Sequence, residues 1–313
     1  MNILITGIHG FVGSNLLQAL AQEHQIYGLD IISPTKAGLV STFSWDDLDN
    51  GLIPPVDAII HLAGKAHDTK NQSQADVYFQ INTQLTKRIY DYYLASTATK
   101  FIFFSSVKAA VDSVPGEFLT ETVPTNPKGP YGESKVKAEE YIQSKWDTAD
   151  KETYILRPCM IHGPGNKGNL NLLYSVIQKG IPWPLGSFEN KRSFTSIDNL
   201  CFVIEGLLSK GVPTGIYQMG DDEALSTNEL IEVICGAMGK KAHIWHLPKG
   251  LMHALAGVGS CLHLPLNKER LRKLTENYVV SNKKLKGALG IDRMPVRAKD
   301  GLVKTIRCFE NKK

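Results

Sequence analysis

No stretch of this sequence is both long and apolar enough to span a bilayer. The most apolar late segment, residues 250–264, is interrupted by His253, His263 and several glycines. A packed helix is expected there, and membrane contact is not. Cysteine is sparse: Cys159, Cys201, Cys235, Cys261 and Cys308 are odd in number, scattered, and never spaced as C-x-x-C. That argues against a disulfide framework and a structural zinc site, and a reducing cytoplasm is the expected location. The start lacks the basic, apolar, small-residue order of a signal peptide, so no export is implied. An excess of one charge is also missing, since 35 Lys/Arg against 31 Asp/Glu leave +4. The basic residues of segments 268–273 and 282–286 read as solvated helix faces, so nucleic acid is not an expected partner. Internal repeats and low-complexity segments are absent. His243-Ile-Trp-His246 does not make a metal site, because a strand with that spacing turns the two rings to opposite faces. No metal is expected.

What is present is an ordinary globular composition, 42% hydrophobic and 21% charged over 313 residues. That length suggests one large domain with a smaller appendage. Residues 2–6 read as a buried strand, 12–22 as a helix with Leu16, Leu17 and Leu20 on one face, and 25–30 as a second strand, which makes a βαβ unit. Further strands are expected at 58–62, 100–105 and 153–156, with helices over about 74–95 and 131–145 between them. Alternating strands and helices give an α/β fold, a Rossmann-type doubly wound parallel sheet with its ligand at the carboxyl ends of the strands. Past Arg157-Pro158 the texture turns loop-rich, and from about Ser226 short helices dominate. The expected division is a dinucleotide-binding domain of residues 1–162 plus about 189–217. A smaller mixed α/β C-terminal substrate lobe would hold 163–188 plus 218–313.

Two motifs carry chemistry. Thr6-Gly7-x-x-Gly10-x-x-Gly13 follows the first strand and opens the first helix. Gly7 permits the tight turn, Gly10 lets the backbone approach a pyrophosphate, and Gly13 lets the helix pack on the strand. The helix N-terminus supplies amide donors and the positive end of its dipole. Asp30, ending the second strand, is placed to bind an adenosine ribose and to repel a 2′-phosphate, which favours NAD over NADP, although Lys36 nearby works the other way. In the second motif, Tyr131-Gly-Glu-Ser-Lys135, the four-residue spacing brings an ammonium to the helical face of a phenol. Such a pair suits proton exchange during carbonyl–alcohol redox.

Together these motifs resemble the extended short-chain dehydrogenase/reductases, and within them the nucleotide-sugar epimerase/dehydratase branch. The likeness covers most of the chain. It implies that Gly7, His9, Gly10, Phe11, Val12, Gly13 and Asp30 bind the cofactor, together with Leu62, Ala63 and Gly64 of His61-Leu-Ala-Gly64. Tyr131, Lys135 and Pro158 would complete that contact beside the nicotinamide. Asn82 is similar to the helical asparagine that supports the active site, and Ser106 to the serine or threonine that holds the substrate oxygen. By the same resemblance Asn169, Leu170 and Arg192 bind substrate, Arg192 gripping a nucleoside diphosphate. Pro182-Trp183-Pro184-Leu185 either lines a base pocket or is packing. A second diphosphate arginine is not singled out among Arg270, Arg272 and Arg293.

The expected reaction has Ser106 hydrogen-bonding the substrate oxygen, Tyr131 exchanging a proton with it, and Lys135 binding the nicotinamide ribose while stabilising tyrosinate. Bringing a phenol from ~10 to neutrality requires about 3–4 kcal/mol of preferential stabilisation, assigned to Lys135 and the oxidised nicotinamide. Dehydratases of the branch carry an acidic pair directly after the serine or threonine, whereas Val107-Lys108 follows here, which disfavours water elimination. The leading expectation is an NAD-dependent 4-epimerase of a UDP-hexose or UDP-N-acetylhexosamine in surface polysaccharide synthesis. The alternatives are an NAD(P)H-dependent 4-ketoreductase of a UDP-4-keto-6-deoxy sugar and a non-catalytic NAD-sensing scaffold. A homodimer built on helices around Asn82 and Tyr131 is implied by the resemblance.

Overall fold

Ile3, Leu4 and Ile5 are wholly buried, as are Ala58, Ile59 and Ile60, Phe101, Ile102 and Phe103, and Tyr154, Ile155 and Leu156. Unbroken apolar runs of this kind belong to strands covered on both faces. The computed structural model describes residues 1–65, 74–148, 150–166, 168–261 and 267–310, without the side chains of Asn169 and Cys261. Its strands are β1 (Asn2–Thr6), β2 (Gln25–Leu29), β3 (Leu39–Phe43), β4 (Ala58–His61), β5 (Lys100–Phe104), β6 (Glu152–Pro158), β7 (Met160–His162), β8 (Phe194–Ser196) and β9 (Gly215–Met219). Seven form one sheet in the order β3-β2-β1-β4-β5-β6-β9, and every pairing in it is parallel. The order reverses between β1 and β4, so a crevice opens beyond their carboxyl ends, where doubly wound sheets bind ligands.

One face of the sheet is covered by Leu16, Leu17 and Leu20 of the Phe11–Leu20 helix and by Leu200, Val203, Ile204 and Leu207 of the Ile197–Ser209 helix. The other is covered by Ile89, Tyr90 and Tyr93 with Ala138 and Ile142. A separate core joins Leu170, Tyr174 and Ile177 to Leu230, Ile231, Ile234, Leu302 and Ile306, beside the two-stranded β7-β8 pair. Leu285, Leu289 and Met294, which the expected boundaries give to the lobe, pack in the main core instead.

The long helix expected over about 74–95 is not one regular helix. It runs as α-helix over Ala75–Tyr78, widens to a π-helix over Phe79–Gln84, and returns to α-helix over Leu85–Ala95. Single π segments inside α-helices are rare and mark functional positions. This one carries Asn82.

Candidate active site

The first loop closes against the loop after β4. Gly7 has φ +69°, and a Cβ there would stand 2.9 Å from the Ala63 nitrogen, so glycine is required both for the turn and for this approach. Ala63 N–H donates to Thr6 Oγ1 at 3.0 Å, and the same hydroxyl meets His61 Nδ1 at 2.7 Å. His61 is completed by Thr86 and stacks on Phe103, so it is a core histidine, held well below its usual pKa by burial. Gly10 caps the Phe11–Leu20 helix without a side-chain hydrogen bond, and no acidic residue occupies the first turn. Asp30 accepts from the His9 and Ile31 amides at 3.0 and 2.8 Å, which fixes its carboxylate beside that helix start. Lys36 is held on Ser14 at 2.8 Å. Phe11 and Asn15 lie under the loop of Gly163 to Gly165, where Asn15 Nδ2 donates to the Pro164 carbonyl at 3.0 Å.

A cradle of bare backbone, an open helix start and an acidic residue at the second strand end fit a dinucleotide pyrophosphate and its ribose. Val12 and Gly13 continue that helix. A Cβ on Gly13 would stand 2.5 Å from the Gly7 carbonyl oxygen and 2.7 Å from Ile8 Cα, both backbone atoms that cannot give way. Gly13→Ala is therefore expected to cost about 1–3 kcal/mol of stability and to weaken NAD binding in a calorimetric titration. Wild-type Tm and affinity in that variant would contradict the cradle.

The reacting centre lies across the crevice, at the carboxyl end of β5. Ser106 caps the short Val107–Ala110 helix and accepts from the Lys108 amide at 3.2 Å. The Tyr131 phenol lies by Ser106, whose side chain lowers its pKa against burial, and its ring is edge-on to Tyr78 at 6.3 Å. Tyr131 and Lys135 both lie on the Pro130–Gln143 helix, as the spacing predicts. Each side chain also has neighbours of its own. Lys135 Nζ donates to the Phe104 carbonyl at 2.8 Å and sits 4.9 Å above the Phe103 ring. Tyr131 is raised above its ordinary pKa by burial, with Ser106 the influence that opposes this. Burial lowers Lys135 to about 8, partly offset by Glu139.

Asn82, wholly buried, ties this centre together. Its Oδ1 accepts from the Lys65 amide at 2.8 Å, and its Nδ2 donates to the Lys65 carbonyl and to Ser134 Oγ at 3.1 and 3.0 Å. The π turn thus fastens the Leu62–Ala63–Gly64 loop to the helix of Tyr131. A Cβ on Gly64 would stand 3.2 Å from Lys135 Nζ, so this loop borders the lysine. Asn82 is a positioning residue in this geometry.

Sequence reasoning missed the ion pair beneath. Arg157 Nε donates to Glu139 Oε1 at 3.0 Å and Nη2 to Oε2, and Ser105 Oγ donates to Glu139 as well. The two charged side chains are 2% and 0% exposed. Glu139 follows Lys135 by one helical turn, and that i,i+4 relation was the available signal. Pro158 ends β6 just past Arg157.

Among the residues expected to bind substrate, Arg192 is pinned by main-chain pairing to Leu225 and by Nη1 donating to the Lys273 carbonyl at 2.9 Å. Burial lowers its pKa, and Glu276 opposes this. Arg272 reaches Ser113, Asp112 and Glu276 at 3.1, 3.2 and 3.3 Å, so it shares Glu276 with Arg192. Lys108 stands 4.5 Å over the Tyr278 ring, and the Tyr278 hydroxyl donates to the Val107 and Val111 carbonyls at 3.1 and 2.8 Å. Lys108 and Arg192 therefore lie by Tyr278, and Arg272 joins them through Asp112 and Glu276. Leu170 is 2% exposed in the core of the lobe, so its side chain does not face a ligand. Only its main-chain N–H, in the first turn of the Asn169–Gln178 helix, is placed where helices leave donors open. Asn169 opens that helix, and its side chain lies outside the described residues. Trp183 packs between two apolar clusters.

Comparison with known proteins agrees with this geometry. The profile of the NAD dependent epimerase/dehydratase family matches residues 3–220. A UDP-glucose 4-epimerase of Vibrio cholerae is 30% identical over 261 residues, covering 79% of this chain and 78% of its own length. An N-acetyl-α-D-glucosaminyl-diphospho-ditrans,octacis-undecaprenol 4-epimerase of Escherichia coli O157:H7 is 29% identical over 294 residues, covering 91% and 84%. Among solved structures, UDP-glucuronic acid 4-epimerase from Bacillus cereus in complex with NAD superposes with a TM-score of 0.76 at 20% identity, over 99% of each chain. By the profile match, and by the ordered cradle, serine, tyrosine and lysine, the chain belongs to the NAD dependent epimerase/dehydratase family of extended short-chain dehydrogenase/reductases.

Proposed function

We propose that this chain is an NAD-dependent 4-epimerase of a UDP-sugar, a UDP-hexose or UDP-N-acetylhexosamine, supplying a surface polysaccharide. The observation that carries the reading is Ser106 acting on the Tyr131 phenol, in one fold with the glycine cradle and with Arg192 and Arg272. Arg192 and Arg272 would hold the diphosphate, and Ser106 the C4 oxygen. Tyr131 removes the proton of the C4 hydroxyl and returns it after the ketone has turned over between its faces. NAD, when bound, would supply the acceptor and then the donor for the C4 hydride, and its positive ring would help Lys135 stabilise the phenolate. Lys135 would also orient the nicotinamide ribose. Val107-Lys108, where dehydratases of the branch carry an acidic pair, disfavours water elimination. The names of the Vibrio and Escherichia relatives both put chemistry at C4 of a diphosphate-linked sugar, which supports the choice. A homodimer in the cytoplasm belongs to the same reading.

A 4-ketoreductase of a UDP-4-keto-6-deoxy-N-acetylhexosamine would use the same serine, tyrosine and lysine. Purified protein incubated with UDP- and dTDP-sugars, with and without NADH, separates the two. Epimerised UDP-sugar without added NADH is expected. NADH consumed stoichiometrically with a 4-keto sugar would transfer the assignment to the reductase, and tight NAD binding with no turnover at all would leave a scaffold.

A further inference from the structure

The surface around the Lys249–Cys261 helix carries an apolar face left open by the described residues, and the charges in its segment are all of one sign. Residues 233–268 run for 36 positions without an aspartate or glutamate, yet contain Lys240, Lys241, Lys249 and Lys268. Across the rest of the chain the two signs are balanced. Within this segment lies the Lys249–Cys261 helix. Met252 and Ala256 turn inward onto Leu185, Phe188 and Leu271. Leu251, Leu255 and Val258 turn outward and are 47%, 47% and 54% exposed. They stand at i, i+4 and i+7, so they form one stripe. A water-facing stripe would ordinarily be polar, but no charged side chain lies between Lys249 and Lys268. Trp245, 55% exposed, lies just before the helix, and its carbonyl accepts from the Gly186 amide at 3.0 Å, next to Leu185.

The lysines bracket this stripe. Lys249 opens the helix and lies 5.8 Å over the Phe188 ring. Lys268 comes back along it, with its Cε 3.7 Å from the Cβ position of Gly257. Lys240 and Lys241 are exposed on the approach. Such stems lay their methylenes along apolar surface while the ammonium groups reach outward. Among the described residues, no helix is long and apolar enough to cross a membrane. An outward apolar stripe, an exposed tryptophan and flanking lysines without acids are instead the features of a helix that lies in the plane of a bilayer surface. The lysines add attraction for anionic headgroups.

We infer that the face of Trp245, Leu251, Leu255 and Val258 docks on an anionic phospholipid surface. The composition-based expectation of no membrane contact addressed only a spanning segment. The inference stands on this surface alone and does not depend on the assignment of the reaction.

The test is co-sedimentation of the full chain with phosphatidylcholine vesicles and with phosphatidylcholine/phosphatidylglycerol vesicles. Wild type is expected to bind the anionic vesicles, more weakly as NaCl rises from ~50 to ~300 mM. L251Q/L255Q/V258Q is expected to lower the partition by about tenfold or more, with unchanged Tm and NAD affinity, because all three side chains are already exposed. K240Q/K241Q/K249Q should remove the preference for the anionic vesicles, and W245F the vesicle-induced blue shift of the fluorescence. Failure of wild type to bind anionic vesicles, or undiminished binding by the leucine/valine triple variant, overturns the inference. So does an oligomer that falls to monomer in that variant by analytical ultracentrifugation, which would make the face a contact between copies of this chain.

Discussion

Tyr131→Phe is expected to lower turnover by about 10²–10⁴-fold, the range for loss of a general acid/base, while leaving NAD affinity unchanged. The phenol lies by Ser106, whose side chain lowers its pKa while burial raises it. Phenylalanine keeps the ring against Tyr78 but has no proton to exchange. The effect should therefore appear in kcat, with binding by calorimetry intact. Turnover near wild type would remove Tyr131 from the mechanism, and lost NAD binding would make it structural.

Glu139→Gln should be the most destabilising conservative change in the active-site layer. Glu139 and Arg157 are almost fully buried and joined through both carboxylate oxygens, with Ser105 donating to the same group. Removing one partner leaves the other charge in the interior without compensation, which costs about 3–5 kcal/mol. Arg157→Met should do likewise. The double variant E139M/R157M should recover part of the loss, because apolar replacement of a whole buried pair is tolerated. Urea unfolding midpoints at constant slope measure this directly. A loss below about 1 kcal/mol, the value of a solvent-exposed pair, would mean that the pair is screened. Losing the Glu139 charge also removes the influence that raises Lys135, so Lys135 should titrate lower still in that variant.

What the sequence made legible follows from range. β1, β4 and β5 are read from unbroken apolar runs, and the glycine loop from spacing alone, because both are local. β3 escaped because Leu39–Phe43 contains no fully buried residue and so shows no clear apolar pattern. The π turn at Asn82 could not be seen, since it is set by where Lys65 and Ser134 come to lie. The Tyr131–Lys135 spacing located the helix that carries both, but the Phe104 carbonyl that accepts from Lys135 comes from a strand 31 positions away and is not legible locally. Arg272 stayed one of three candidates because Glu276 is a local i,i+4 partner and only folding brings Asp112 and Ser113 to it. Leu170 shows that a motif position does not tell side chain from main chain: its side chain belongs to the lobe core, and only its N–H is left for a ligand.

The central claim is that a single hydride leaves C4 of the sugar and returns to it while Tyr131 moves the proton. Incubating the purified protein with a UDP-hexose or UDP-N-acetylhexosamine deuterated at C4, with no added NADH, measures this most directly by NMR of the product. Inverted configuration with the deuterium still on C4 is the predicted result. Unchanged configuration, or inversion with the label replaced by solvent hydrogen, would contradict it.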